Sequence, residues 1–179
     1  MIRFFDLLFF FIGILVMFPV FILVLVVSLI NNGSPFFTQI RIGVNQKPFV
    51  LIKFRTMPLN TKSVATHLVK NIKLSQFNIF LRKTKLDEIP QLWNVLLGDM
   101  SLVGPRPCLL SQRKLIAERK KRRVFKAKPG ITGLAQIKGI TMKTPTLLAK
   151  TDLQMIQQMN VYYYFYYIYM TILFICKKK

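Results

Sequence analysis

Histidine, cysteine and acid are all scarce in this chain of 179 residues: one histidine, two cysteines, and six aspartates and glutamates together. The single histidine, His67, argues against histidine-based metal or triad chemistry. Cys108 and Cys176 cannot build a disulfide framework and lack metal-site spacing, so a reducing compartment is the simplest reading. The six acids face 27 lysines and arginines, for a net charge of +21. Yet only 18% of residues are charged and 53% are hydrophobic. A disordered polycation is excluded, because such tails are poor in Leu, Ile and Phe. An ordinary soluble enzyme is disfavoured too. The balance favours one core-forming domain resting on an anionic membrane surface over one bound to nucleic acid.

Residues 7–30 carry no charge at all. As a helix this run is roughly 36 Å long, against a bilayer core of about 30 Å. It is too long for a signal-peptide apolar region, and no small-x-small cleavage site follows. Pro19 lies near its middle, removing a backbone donor and freeing the carbonyl of Leu15. Each flanking half is roughly 17 Å long, which suits a helix–break–helix wedge that enters one leaflet and returns. A kinked single-pass helix is the alternative, since membrane spans tolerate proline. Nearly all cations follow Ile30, which makes that side cytoplasmic under the positive-inside tendency.

Residues 36–42 and 49–55 are rich in aromatic and branched side chains, and residues 43–48 between them supply turn chemistry. The pattern predicts a β-hairpin. Residues 61–75 read as a loop with a short helix, with His67 on it. Further on, Ile89, Leu92, Trp93, Leu96 and Leu97 repeat at helical spacing. Pro90 is tolerated only in a first turn, so the helix is expected to begin close to Asp87 and to stop at Gly98.

Two of the six acids, Asp87 and Glu88, are therefore adjacent at an expected helix N-terminus. The dipole, with Arg82, Lys83 and Lys85, is expected to hold both ionised. Such a carboxylate can attack phosphorus, bind Mg²⁺, or both. Helix capping is the competing explanation. In Gly104-Pro105-Arg106-Pro107, two prolines lock the chain around Arg106, and a fixed guanidinium makes a good phosphate clamp. Residues 111–128 hold nine lysines and arginines against one glutamate. They form either a solvated helix face or a surface for anionic headgroups. A helix is expected over 147–160, carrying Asp152. All six tyrosines fall within 162–169, in a segment that reads as interfacial with a basic tail.

Taken in order, the apolar segment with its central proline, Lys53-Phe54-Arg55-Thr56-Met57, Leu86-Asp87-Glu88-Ile89-Pro90-Gln91-Leu92-Trp93-Asn94-Val95, Gly98-Asp99-Met100-Ser101-Leu102-Val103-Gly104-Pro105-Arg106-Pro107 and Lys128-Pro129-Gly130-Ile131-Thr132-Gly133 closely resemble the bacterial sugar transferase family, the monotopic phosphoglycosyl transferases. The likeness is strong over 36–136, positional in the N-terminal segment and thin past Gly139. It implies transfer of a sugar phosphate from a UDP-sugar to polyprenyl (undecaprenyl) phosphate, with release of UMP. Asp87 would be the nucleophile, becoming a phosphosugar-bearing acyl phosphate. Glu88 would assist it through Mg²⁺ or a proton, the metal resting on Asp87 and Glu88. Lys53, Arg55, Arg106 and Lys128 would steady phosphates. A non-catalytic membrane scaffold of a glycan-assembly complex is the alternative.

The resemblance also implies an α+β fold. Residues 1–33 would form a re-entrant membrane hairpin broken at Pro19, and 34–160 a small cytoplasmic catalytic domain with a short β-hairpin and amphipathic helices. Residues 161–179 would form an aromatic membrane-interface segment. The expected setting is the bacterial inner membrane, with anionic lipids as partners and the catalytic domain facing the cytoplasm. No nucleic-acid motif is present, and the long apolar run argues against such a partner. Three departures stand out. Phe18 precedes the proline where the family commonly has serine, whose hydroxyl could satisfy the freed carbonyl. Lys85 replaces a common serine two residues before Asp87. The tail lacks the usual Gly-Arg-Asn sequence, leaving Asp152 as its one obvious acidic candidate.

Overall fold

The computed structural model describes residues 1–58 and 74–177. The loop expected over 61–75, His67 included, lies almost wholly outside them. The chain runs α1 (Ile2–Asn32), β1 (Phe36–Ile42), β2 (Pro48–Phe54), α2 (Gln76–Thr84), α3 (Gln91–Leu97), β3 (Ser101–Val103), α4 (Arg113–Lys121), β4 (Gly130–Thr132), α5 (Leu134–Ile137), α6 (Pro145–Gln158) and α7 (Val161–Lys177). The fold is a mixture of helix and strand, as expected.

The hairpin forms where the apolar pattern predicted it. β1 and β2 pair antiparallel, from Phe36 opposite Phe54 to Ile42 opposite Pro48. Alternation then divides its faces: Phe54 joins Val24 and Leu81 in one apolar cluster, while Phe49 and Leu51 join Val95 and Met100 in another. β3 and β4 form a short parallel pair behind α3. Their chains meet so closely beyond β3 that a Cβ on Gly130 would lie 2.0 Å from the Gly104 nitrogen. Backbone on both sides leaves nothing to swing aside. Gly130→Ala is therefore expected to destabilise the fold by about 3 kcal/mol, the upper end for overpacking, read as a drop in thermal midpoint.

α1 departs from the expected helix–break–helix segment. Pro19 lies inside one helix that runs from Ile2 to Asn32, and a re-entrant hairpin is not shown. One lost donor leaves the hydrogen bonds of the flanking turns in place, which is why apolar helices tolerate an internal proline. The helix is long and apolar enough to cross a membrane by length and composition. It also packs against the rest of the chain along its whole length. Arg3 donates to the carbonyls of Val95 and Leu96 at 2.5 and 2.8 Å, at the C-terminus of α3. The Phe21 ring is 5.1 Å from that of Phe54, and Val24 meets Leu81. The opposite face of α1 is an exposed apolar stripe that includes Phe4, Phe11, Leu15 and Leu23.

α7 folds back over the start of α1. Phe165 sits 5.1 and 5.8 Å from Phe5 and Phe9, and Tyr164 and Tyr167 are fully buried. The tyrosine-rich segment is thus a helix with one face in the core, while Tyr162 and Tyr169 on its other side are exposed. Asp6, flanked by apolar residues, ties the two helices to β3. Its Oδ1 accepts from Ser101 Oγ (2.9 Å), the Leu102 amide (3.0 Å) and the Tyr164 hydroxyl (2.8 Å).

Candidate active site

α3 is fixed against β2 by one side chain. Asn94 donates its amide nitrogen to the Val50 carbonyl (2.7 Å) and accepts from the Ile52 amide (3.1 Å). It thus satisfies the free edge of β2 as a neighbouring strand would. This brings Lys53, on the far side of β2 from α1, alongside the segment that leads into α3.

That segment is tighter than the sequence predicted. The α-helix begins at Gln91, with Pro90 as its N-cap, and Leu86–Glu88 form a separate 3₁₀ turn. Lys85 takes a left-handed conformation (φ 59°) that ends α2 and starts this turn. Leu86 packs beside Phe54 and Leu81, and Asp87 is buried, with Lys53, Arg82 and Arg106 near it. The dipole and nearby cations are expected to hold both acids ionised, and at Asp87 burial works against them. Burial first, and repulsion from Glu88 second, push its carboxyl up to about 6, against the pull of Lys53, Arg82 and Arg106. Desolvation disfavours the charged form, and here it outweighs the cations. Glu88 goes the other way. Burial opposes its charge, but the Arg106 guanidinium, with Lys85 and Lys53, outweighs burial and holds it below the usual carboxylate range. Arg106 Nη2 is 2.9 Å from Glu88 Oε1. Two adjacent carboxyls thus have their affinities for protons pushed apart, a pattern typical of groups given different chemical tasks.

Arg41, read in the sequence only as a strand residue, belongs to the same cleft. It lines it with Lys53, Gln91 and Arg106. Its guanidinium donates to the Pro107 carbonyl (3.1 Å) and to Gln39 (2.6 Å), while its Nε is buried without a partner. Burial, then repulsion from Arg106, lowers it to about 10, so it stays charged at neutral pH. The only sequence signal was its place two residues before Gly43 in the hairpin turn, which carries no chemistry by itself.

The other expected site residues are distributed as follows. Lys53 and Arg55 flank the Phe37 ring at 5.3 and 5.6 Å. Arg55 also donates to the Phe36 carbonyl at 3.0 Å. Lys128 is not brought to the carboxylates. A Cβ built on Gly98 would lie 3.5 Å from its Nζ and 3.7 Å from Arg3 Nη2, which puts it at the opposite end of α3. Asp152 is also away from the cleft, in a buried pair with Arg119.

Across β2 from Lys53 lies a second feature. An apolar cavity of about 550 Å³ runs between α1 and the hairpin, lined among others by Ile14, Phe18, Phe21, Ile52 and Trp93. Its lining also includes Ile89 and Pro90, the residues that follow Glu88.

Among the described residues no cluster of three or more His, Cys, Asp or Glu could cage a metal ion. The pair still suits Mg²⁺, which is usually bound through one or two carboxylates with substrate phosphates completing the shell. Glu88 Oε2 is buried and has no partner, a free oxygen where such an ion needs one. The cleft gathers Arg41, Lys53 and Arg106 around two carboxylates, so it can hold a polyanion beside a nucleophile.

The sequence pattern described as bacterial sugar transferase matches residues 1–178. The chain belongs to that family. Over 108 residues it is 50% identical to the uncharacterized sugar transferase EpsL of Bacillus subtilis, covering 60% of this chain and 53% of that protein. Over 123 residues it is 44% identical to the UDP-glucose:undecaprenyl-phosphate glucose-1-phosphate transferase of Klebsiella pneumoniae, covering 65% and 26%. The Escherichia coli transferase of the same name is 38% identical over 159 residues, covering 83% and 34%. The chain thus spans from about a quarter to about half of these relatives. The names of the Klebsiella pneumoniae and Escherichia coli proteins state that those two act between UDP-glucose and undecaprenyl phosphate.

Proposed function

We propose that this protein is a phosphoglycosyl transferase that moves a sugar phosphate from a UDP-sugar to polyprenyl phosphate. The observation that carries the reading is the buried Asp87 carboxyl set among Lys53, Arg41 and the Arg106–Glu88 pair. Asp87 attacks the β-phosphorus, and the bond from that phosphorus to the bridging oxygen breaks. UMP leaves with the electron pair and a phosphosugar remains on the carboxylate. An oxygen of polyprenyl phosphate then attacks the same phosphorus, which frees Asp87 and yields the lipid diphosphate sugar. Arg106, Lys53 and Arg41 hold the phosphates and offset their charge during both displacements. Mg²⁺ would rest on Glu88 and Asp87 and supply further charge neutralisation. A carboxyl near pH 6 is mostly ionised at neutral pH, yet more basic than an ordinary aspartate.

Attachment to the membrane follows from α1. Arg3 and Asp6 at its start hydrogen-bond to α3 and β3, while its end leads directly into the hairpin of the same domain. We infer that both ends lie on the cytoplasmic side of the bacterial inner membrane. The apolar stripe of α1 faces lipid, and its basic neighbours face anionic headgroups. The apolar cavity lined in part by Ile89 and Pro90 supports a lipid acceptor, whose phosphate must reach Asp87 from the bilayer.

Purified protein in nanodiscs, given Mg²⁺, polyprenyl phosphate and a panel of UDP-sugars, is expected to release UMP with at least one donor. A folded protein that releases none from any donor is a scaffold instead. With Cys176 replaced by Ser, a cysteine at position 2 is expected to react from the cytoplasmic side. Labelling from the outer side alone means that α1 spans.

A further inference from the structure

Arg106 is the exposed residue of an otherwise buried turn, and its backbone is held from behind. Arg119, on α4, donates Nη1 to the Arg106 carbonyl at 2.8 Å. The same guanidinium donates Nε and Nη2 to one oxygen of Asp152, on α6, at 3.0 and 2.7 Å. The next carbonyl along, that of Pro107, accepts from Arg41 at 3.1 Å. Two guanidiniums therefore pin two consecutive carbonyls of the turn whose side chain reaches Glu88. The Arg119–Asp152 pair is itself almost completely out of solvent, at 2% and 1% exposed.

Stability is a poor reason for that arrangement. Removing two charges from water costs several kcal/mol per ion, and a well-packed apolar pair of similar volume commonly does as well or better. Asp152 Oδ1 is moreover buried without a partner, so the pair is not even fully satisfied. What an apolar pair cannot do is donate a charged hydrogen bond to the Arg106 carbonyl. Pro107 already confines Arg106 to extended backbone, because a residue before proline is restricted. Arg119 fixes the remaining tilt of that peptide, and the tilt sets where the long Arg106 side chain starts.

We propose that the Arg119–Asp152 pair is a positioning device for Arg106, anchoring its carbonyl to α4 and α6 so that its guanidinium stands beside Glu88. The pair touches neither substrate nor the carboxylates; it acts through Arg106. This rests on the transferase reading above, in which Arg106 holds phosphate. It also gives Asp152, the acidic candidate of the divergent tail, a task other than sugar recognition.

The test uses the full-length protein in nanodiscs, with UMP release as the rate and thermal unfolding as the fold check. Four variants are compared with wild type: Arg119→Met with Asp152→Leu, Arg106→Ala, those three changes together, and Arg119→Lys. The paired apolar variant is expected to keep a thermal midpoint near or above wild type. Its kcat/KM is expected to fall about 10- to 100-fold, with a raised KM for the UDP-sugar, because a misplaced binding group acts on transition-state geometry. On top of Arg106→Ala the same pair is expected to cost less than about twofold, since groups that act as a unit are not additive. Arg119→Lys, which keeps the charge but lacks the fork that serves carboxylate and carbonyl together, is expected to lose most of the rate as well. Full additivity overturns the proposal, as does unchanged kcat and KM per folded molecule. Wild-type turnover alongside either result confines the failure to the positioning role. A folded wild type without turnover overturns both this proposal and the transferase reading.

Discussion

Asp87→Asn is expected to lose turnover and, at neutral pH, to make the protein more stable. Asparagine cannot form the acyl phosphate, so neither UMP release nor a labelled adduct from a radiolabelled donor should be seen. The stability gain comes from burial. The carboxyl sits near 6 in the folded protein, against an ordinary 3.8. A folded-state value raised in this way favours folding fully below pH 3.8, and that contribution is lost as pH climbs through 6. Ionised Asp87 at pH 7 is therefore a cost to the fold, of about 1–3 kcal/mol at about 1.4 kcal/mol per pH unit. Asparagine removes it. Thermal unfolding in chelator at pH 7.5 should show the variant above wild type, and the gap should close below about pH 4. A gap that persists at low pH contradicts a burial origin. In active wild type the same carboxyl should set the acid limb of the first half-reaction, and Mg²⁺ resting on it would move that limb below the metal-free value of about 6.

Asp6→Ala should have the largest effect on the fold. Asp6 is 2% exposed, and one of its oxygens accepts three hydrogen bonds: from Ser101, the Leu102 amide and Tyr164. Truncation strands all three donors, each at about 1–3 kcal/mol when buried, for a loss of about 3–5 kcal/mol once relaxation is allowed. The thermal midpoint is expected to fall by more than for any single change on the exposed stripe of α1. Protease should then cut more readily between α1 and the hairpin, as the helix loses its hold on β3 and α7. Asp6→Asn keeps the size and one acceptor oxygen and should recover about half of the loss. An alanine variant as stable as wild type would mean that the N-terminal end of α1 is not held by this cluster, and the inference that both ends of α1 share one side would lose its main support.

The hairpin was legible because period-two alternation places Phe49 and Leu51 on one face and Phe54 on the other. Helical spacing likewise marked α3 and Gly98 marked its end. The dyad and the turn at Arg106 were legible as motifs, but their meeting at 2.9 Å was not. Less was visible elsewhere. Pro19 signals a lost donor but not whether its neighbours make up for it, and one helix runs through it. Lys85 gives no sign of a left-handed backbone, so the start of α3 was placed too early by the length of a 3₁₀ turn. Arg41 and Arg119 looked like strand and charge run, and nothing marked Asp6, because a side chain's partners lie far along the chain. Lys128 sits in a specific motif, yet its ammonium lies at the other end of α3.

Residue chemistry and local periodicity by themselves marked a long apolar helix, a basic body, a carboxylate pair and a proline-locked arginine, all properties carried within a few residues of chain; the order of the motifs gave the family resemblance. Only the tertiary structure decided the protonation behaviour and the membership of the site. Burial of Asp87, attraction between Glu88 and Arg106, and the arginines that hold the turn from behind depend on charges and solvent exclusion across contacts between distant segments, and these exist only once the chain has folded.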